Sequence, residues 1–302
     1  MLRLRRSLRL HAPVAVLVFL VAGLGTLDLA QAPRVLRDDP HALAVRPGGD
    51  MSGDSFAEPV QAPLVLDPVP GHSVQVPILL YHFIRNNPDP KDRAGFALSV
   101  TPTDLDAQLT ELQRAGVRTL SPDEFYAIVH SGRQPRGRVV LLTFDDGYAD
   151  FASTAAPILH SHGMTAIDFV VSGFVGQSNY MTARQLQAVE HLGAHIGAHS
   201  VHHVPLAKVP RPVMVEEITQ SKLALEALLG HSLDDFAYPF GSLDATVETT
   251  VRAAGFRTGM STVPGTHQDV SDPYSLRRVE VVGGESLGRF DQVLDIHLRP
   301  GG

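Results

Sequence analysis

The stretch VVLLTFDDGYADF, residues 139–151, ends an apolar run on two adjacent carboxylates, Asp145 and Asp146, followed by Gly147. Neighbouring like charges repel, and a carboxylate beside a core loses hydration, so the pair needs a compensating partner. The best candidate is IGAHSVHHVPL, residues 196–206, where His199 and His203 stand four apart. On a helical turn that spacing puts both imidazoles on one face. Neutral imidazole is the commonest metal ligand, and an Asp–His–His set with open positions suits a catalytic divalent cation such as Zn2+. One aspartate then ligates the metal, and the other, held ionised beside it, serves as base toward an attacking water. Alone, DDG reads as an Asx-type turn and each histidine as a solvated loop residue. The two motifs gain their meaning together, as ends of strands in one series.

Those strands are legible around them. Residues 75–82 (QVPILLYH), 138–144 (RVVLLTF), 165–171 (TAIDFVV), 195–200 (HIGAHS), 235–240 (DFAYPF) and 256–261 (FRTGMS) read as strands. Helix signals lie between them. Thr101-Pro102-Thr103-Asp104 opens one, with Leu105, Leu109 and Leu112 as its apolar face and Gly116 at its end. Ser121 with Glu124, and Thr182 with Gln185, have capping-box spacing. Helices over 213–229 and 244–254 stop at Gly230 and Gly255. Alternating strands and helices imply a parallel sheet, closed as a barrel or open and doubly wound. In either fold the site lies at the carboxyl ends of the strands, where Asp145 and Asp146 fall.

Composition narrows the function. The 302-residue chain has no cysteine, which excludes disulfides and thiolate metal sites, and a formal net charge of -7, which excludes a phosphate-backbone partner such as nucleic acid. Residues 1–32 begin with Arg3, Arg5, Arg6 and Arg9, continue through an apolar run from Val14 to Leu24, and reach Ala30-Gln31-Ala32. That is the pattern of a secretory signal peptide or an uncleaved membrane anchor, so the rest of the chain is expected outside the cytoplasm. Residues 33–73, rich in Pro, Gly, Asp and Ala, read as a flexible linker, and 74–298 as one catalytic domain.

TFDDG followed by HSVHH resembles the polysaccharide deacetylases, the NodB homology domain of the carbohydrate esterases. The resemblance implies a distorted parallel (β/α) barrel of the α/β class and metal-dependent removal of N-acetyl groups from a glycan, releasing acetate. Carried over by motif, Asp145 is the base, and Asp146, His199 and His203 hold the metal, with Zn2+ expected and Co2+ or Ni2+ as substitutes. The family's third motif supplies an arginine that braces the base, but Ala237 stands at that position, in FAYPFG, residues 236–241. Its late L-x-H motif, the source of the general acid, is missing after Gly241, whereas Leu80-Tyr81-His82 ends the first strand. This arrangement resembles the permuted branch that includes poly-N-acetylglucosamine deacetylases. His82 is therefore the expected acid, with His297 as rival, and Arg278 the candidate replacement brace.

Tyr148, Tyr238, Pro239 and Phe240 adjoin motif residues and are candidates for the sugar cleft. The expected partner is an N-acetylated polysaccharide: poly-N-acetylglucosamine, peptidoglycan or a chitin-like chain. An O-acetyl esterase on acetylated glycan, a glycan-binding module without catalysis, and a hydrolase of small cyclic amides are the competing readings.

Overall fold

A computed structural model describes residues 63–298 apart from 88 and 90, and side chains as far as 292. The signal or anchor segment and most of the linker lie outside the described residues, as does the side chain of His297.

Among the described residues seven parallel strands close a barrel. They are β1 (Ile78–Tyr81), β2 (Val139–Asp146), β3 (Ile167–Val170), β4 (His195–Ala198), β5 (Asp235–Ala237), β6 (Thr258–Pro264) and β7 (Leu276–Glu280). Each pairs with the next in sequence, and β7 returns to β1 with Val279 opposite Leu79. A two-residue strand, Arg118–Thr119, joins only the start of β2 at Val139 and Val140. This stub stands outside the closed ring.

Side chains alternate across each strand. Leu141 joins Ile78, Ile167, Phe169, Ala237, Met260 and Leu276 in a cluster inside the ring. Val140, Leu142 and Phe144 face the other way, into the layer under the helices. The same alternation turns Thr143 and Asp145 inward, above the apolar plug. The helices form where the caps predict. Thr101 caps Pro102–Arg114, the boxes Ser121/Glu124 and Thr182/Gln185 start their helices, and left-handed Gly230 ends Arg211–Leu229.

The domain begins earlier than residue 74. Leu66–Pro70 pairs antiparallel with Arg133–Pro135, and Ser73–Gln75 with His267–Asp269. Val74 and Val76 then join the interior cluster just ahead of β1, at the amino ends of the strands. Residues 66–73 are thus part of the folded unit, not linker. Their Pro and Gly mask the strand signal, because proline is tolerated where a strand lies at an edge. No helix among the described residues is long and apolar enough to cross a membrane.

Val76 is fully buried in this closure. Val76→Ala is expected to cost about 1–3 kcal/mol, read as a lower melting temperature with activity per folded molecule unchanged. No shift in melting temperature would mean that this segment does not support the barrel.

Candidate active site

Asp145 and Arg278 form the centre. Arg278 projects inward from β7 with its side chain 0% exposed and donates two hydrogen bonds to Asp145, Nη1 to Oδ1 at 2.8 Å and Nη2 to Oδ2 at 2.7 Å. Its Nε donates to the Ser261 carbonyl at 2.8 Å, which fixes the plane of the fork. Burial by itself would raise the pKa of Asp145. The charge of Arg278, the charge of His199, the Arg278 hydrogen bonds and the charge of His82 together outweigh it, and the value falls to about 2. Arg278 is the brace absent at position 237, placed two strands away.

Asp146 ends β2 in the left-handed region, φ 84°, and Gly147 follows at φ 75°. A Cβ on Gly147 would lie 3.0 Å from Val170 Cγ1, so the tight turn against β3 requires glycine. Asp146 Oδ1 is buried and has no hydrogen-bond partner among the described residues. His199 Nε2 lies 3.6 Å and His203 Nε2 3.3 Å from it. His199 Nδ1 donates to the Ala237 carbonyl at 2.8 Å. With Nδ1 committed to that carbonyl, Nε2 is the ring nitrogen aimed at Asp146. Burial, and next the charge of His199, lower the pKa of His203, which favours its neutral form. One atom from each of Asp146, His199 and His203 lies within 4.8 Å of the others. An orphaned carboxylate oxygen and two imidazole nitrogens are the donor set of a divalent cation.

The two histidines do not share a helical turn. Ser200 and His203 have φ of 62° and 55°, and the segment between them is a loop. Three hydrogen bonds hold it: Ser200 Oγ accepts from the His203 N–H at 2.9 Å, and buried Glu217 accepts from the N–H groups of Val201 and His202 at 2.9 and 2.8 Å. Glu217 carries no sequence signal, since it lies within the regular helix Arg211–Leu229.

A cavity of about 530 Å³ opens over these groups, and His82, Tyr148, Phe240 and Glu280 are on its wall. Tyr148 stacks on Phe83 with ring centres 3.7 Å apart, and burial followed by the Asp146 charge raises its pKa. Phe240 is 66% exposed, has φ 57°, and lies with its ring centre 4.4 Å from that of His203. Tyr238 and Pro239 do not reach the cavity. Both are buried, and the Tyr238 hydroxyl donates to the Tyr274 carbonyl at 2.8 Å, because strand alternation sends Tyr238 into the helix-covered layer. Sequence reading also missed Asp168, fully buried behind the turn. Burial, with the charges of Asp145, Asp146 and Asp150, raises its pKa well above the ordinary value.

A family model described as polysaccharide deacetylase matches residues 132–259. That span contains Asp145, Asp146, His199 and His203 and leaves out His82 and Arg278. YxkH of Bacillus subtilis (strain 168), which carries the same family name, is 27% identical over 221 residues, covering 73% of this chain and 76% of its own. A Staphylococcus aureus (strain MSSA476) protein named poly-beta-1,6-N-acetyl-D-glucosamine N-deacetylase is 23% identical over 195 residues, 60% of this chain and 67% of that one. The Streptococcus pyogenes deacetylase PplD, solved in complex with acetate, is 28% identical with a TM-score of 0.68, covering 75% of this chain and 99% of that one. IcaB from Ammonifex degensii shares the fold, with a TM-score of 0.63 at 23% identity over 75% of this chain and 97% of its own.

The Asp145–Arg278 pair has a testable cost. The folded pKa of Asp145 lies below the ordinary value of 3.8, so its ionisation stabilises the fold above about pH 4, and that contribution disappears as pH falls through about 2. Arg278→Met leaves a buried carboxylate unpaired and is expected to lose about 3–5 kcal/mol at neutral pH. Adding Asp145→Asn should restore part of the melting temperature. Additive losses in the double variant would show that the two side chains act independently.

Proposed function

We propose that this polysaccharide deacetylase is a metal-dependent N-deacetylase of an extracytoplasmic N-acetylglucosamine polymer. The carrying observation is the meeting, in one cleft, of an ionised and braced carboxylate, a three-ligand cation site with an orphaned oxygen, and a histidine beside them. The named activity of the Staphylococcus aureus relative supports β-1,6-linked poly-N-acetylglucosamine as the substrate. The basic and apolar N-terminal segment supports export, as a cleaved signal or as a membrane anchor.

In this reading a divalent cation on Asp146, His199 and His203, Zn2+ first and Co2+ or Ni2+ as substitutes, supplies Lewis-acid polarisation of the acetamide carbonyl. Asp145 takes a proton from the attacking water. Arg278 keeps Asp145 ionised and fixes its plane, so no rotamer search precedes the transfer. His82 gives a proton to the departing amine, which leaves poorly as an amide anion. Phe240 and Tyr148 bound the cleft with aromatic surface suited to a pyranose ring. Acetate and a glucosamine unit are the products.

Chelation should abolish acetate release from the N-acetylated polymer, and added Zn2+ or Co2+ should restore it; full activity in metal-free protein would refute the metal site. Asp146→Asn is expected to lose bound metal, whereas Asp145→Asn keeps it and loses about 10²–10⁴-fold in kcat. Equal metal loss in both variants would show that the two aspartates do not have separate roles.

His82→Ala should depress kcat/KM for an N-acetyl oligomer far more than for an activated acetate ester, whose alkoxide leaves with less help. Parallel losses on both substrates, tracking the folded fraction, would remove His82 as the acid. Higher turnover of an O-acetylated glycan than of any acetamide would favour the esterase alternative.

A further inference from the structure

Strand β7 places two charged residues on the cleft side of the barrel. Arg278 and Glu280 point inward, while Val279 between them packs into the layer under the helices. Arg278 is spent on Asp145. Glu280 lies one pleat nearer the mouth, exposed, on the wall of the same cavity. No hydrogen bond or ion pair engages its carboxylate among the described residues. Its register partner is Leu80, and His82 follows two residues later on the same wall. A carboxylate without a partner thus shares the cavity wall with the histidine at which the amine would depart. Arg278 is the one permanent cation among the residues on that wall, and both its terminal nitrogens face Asp145.

We propose that Glu280 is a specificity residue that recognises a cationic sugar, a glucosamine unit already stripped of its acetyl group, next to the N-acetylated unit being hydrolysed. The inference rests on the N-deacetylase reading. Each turnover replaces a neutral acetamide by an amine, and a free amine of α-amino type has a pKa near 8 and is protonated below it. The polymer therefore becomes a polycation as it is processed. A carboxylate at the cleft mouth attracts such a chain and gains nothing from a fully acetylated one. Glu280 would bias the enzyme toward continuing on stretches where deacetylation has begun. An exposed pair supplies at most about 1 kcal/mol, or about fivefold.

The test uses the full-length, metal-loaded protein and two N-acetylglucosamine pentamers at pH 6.5, one fully acetylated and one carrying a single free amine. Acetate release gives kcat/KM for each, and their ratio cancels any difference in folded fraction. The wild type is expected to favour the amine-bearing pentamer by about fivefold at low salt, and the preference should shrink as ionic strength rises. Glu280→Gln should bring the ratio to about one, and Glu280→Asp should retain part of it. The fully deacetylated pentamer should inhibit the wild type more strongly than Glu280→Gln. A wild-type ratio at or below one, or an equal ratio in wild type and Glu280→Gln, overturns the proposal. Acetate from an O-acetylated glycan but from neither pentamer overturns the N-deacetylase reading, and the proposal with it.

Discussion

The buried fork of Arg278 on Asp145 is the interaction on which the site depends. Burial of a carboxylate 3% exposed inside a barrel would otherwise favour its protonated form. Arg278 reverses that tendency with two charge-assisted hydrogen bonds and is itself tied down by the Ser261 carbonyl. Two like charges can share the end of β2 for the same reason. Asp145 is neutralised from inside the barrel. Asp146, turned the other way by its left-handed backbone, faces two imidazoles.

Unusual backbone collects around this centre. Among the described residues other than glycine, φ is positive at Asp146, Asn179, Ser200, His203 and Phe240, and four of these five belong to the strand ends and loops around the cleft. Each left-handed residue costs of order 1–3 kcal/mol. The regular barrel beneath offsets that cost through its buried interior and continuous parallel pairing. The loop carrying His203 has its own restraint in Glu217, whose carboxylate collects two backbone N–H groups. The helix Arg211–Leu229 therefore packs the barrel and also sets the positions of the histidines.

The two ends of the barrel divide the work. At the amino ends of the strands, Val74 and Val76 and the antiparallel pairs on either side of them close the core. At the carboxyl ends the interior is left open as the cleft. Between the two lies the apolar plug from Ile78 to Met260, which keeps water from reaching Arg278 and Asp145 from below.

Much of this was legible in the sequence. The strand runs and helix caps specified a parallel α/β sheet and put Asp145, Asp146, His199 and His203 at strand ends, because period, capping and turn chemistry are local, and the choice of a closed barrel came from the resemblance carried by TFDDG and HSVHH. The match of Asp145 with Arg278 was legible only as a suggestion, since 133 residues separate them and register alone decides which inward side chains meet. The loop geometry of His199 and His203 was misread, because four-residue spacing looks the same on a helix and on a loop held by Ser200 and Glu217. Tyr238 and Pro239 were assigned to the cleft by adjacency, but both are buried away from it, Tyr238 in the layer under the helices and Pro239 in the turn that follows. Residues 66–73 passed for linker because their pairing partners, Arg133 to Pro135 and Asp269, lie far away in the sequence. Local chemistry thus fixed which groups the protein has, and barrel closure decided which of them face one another.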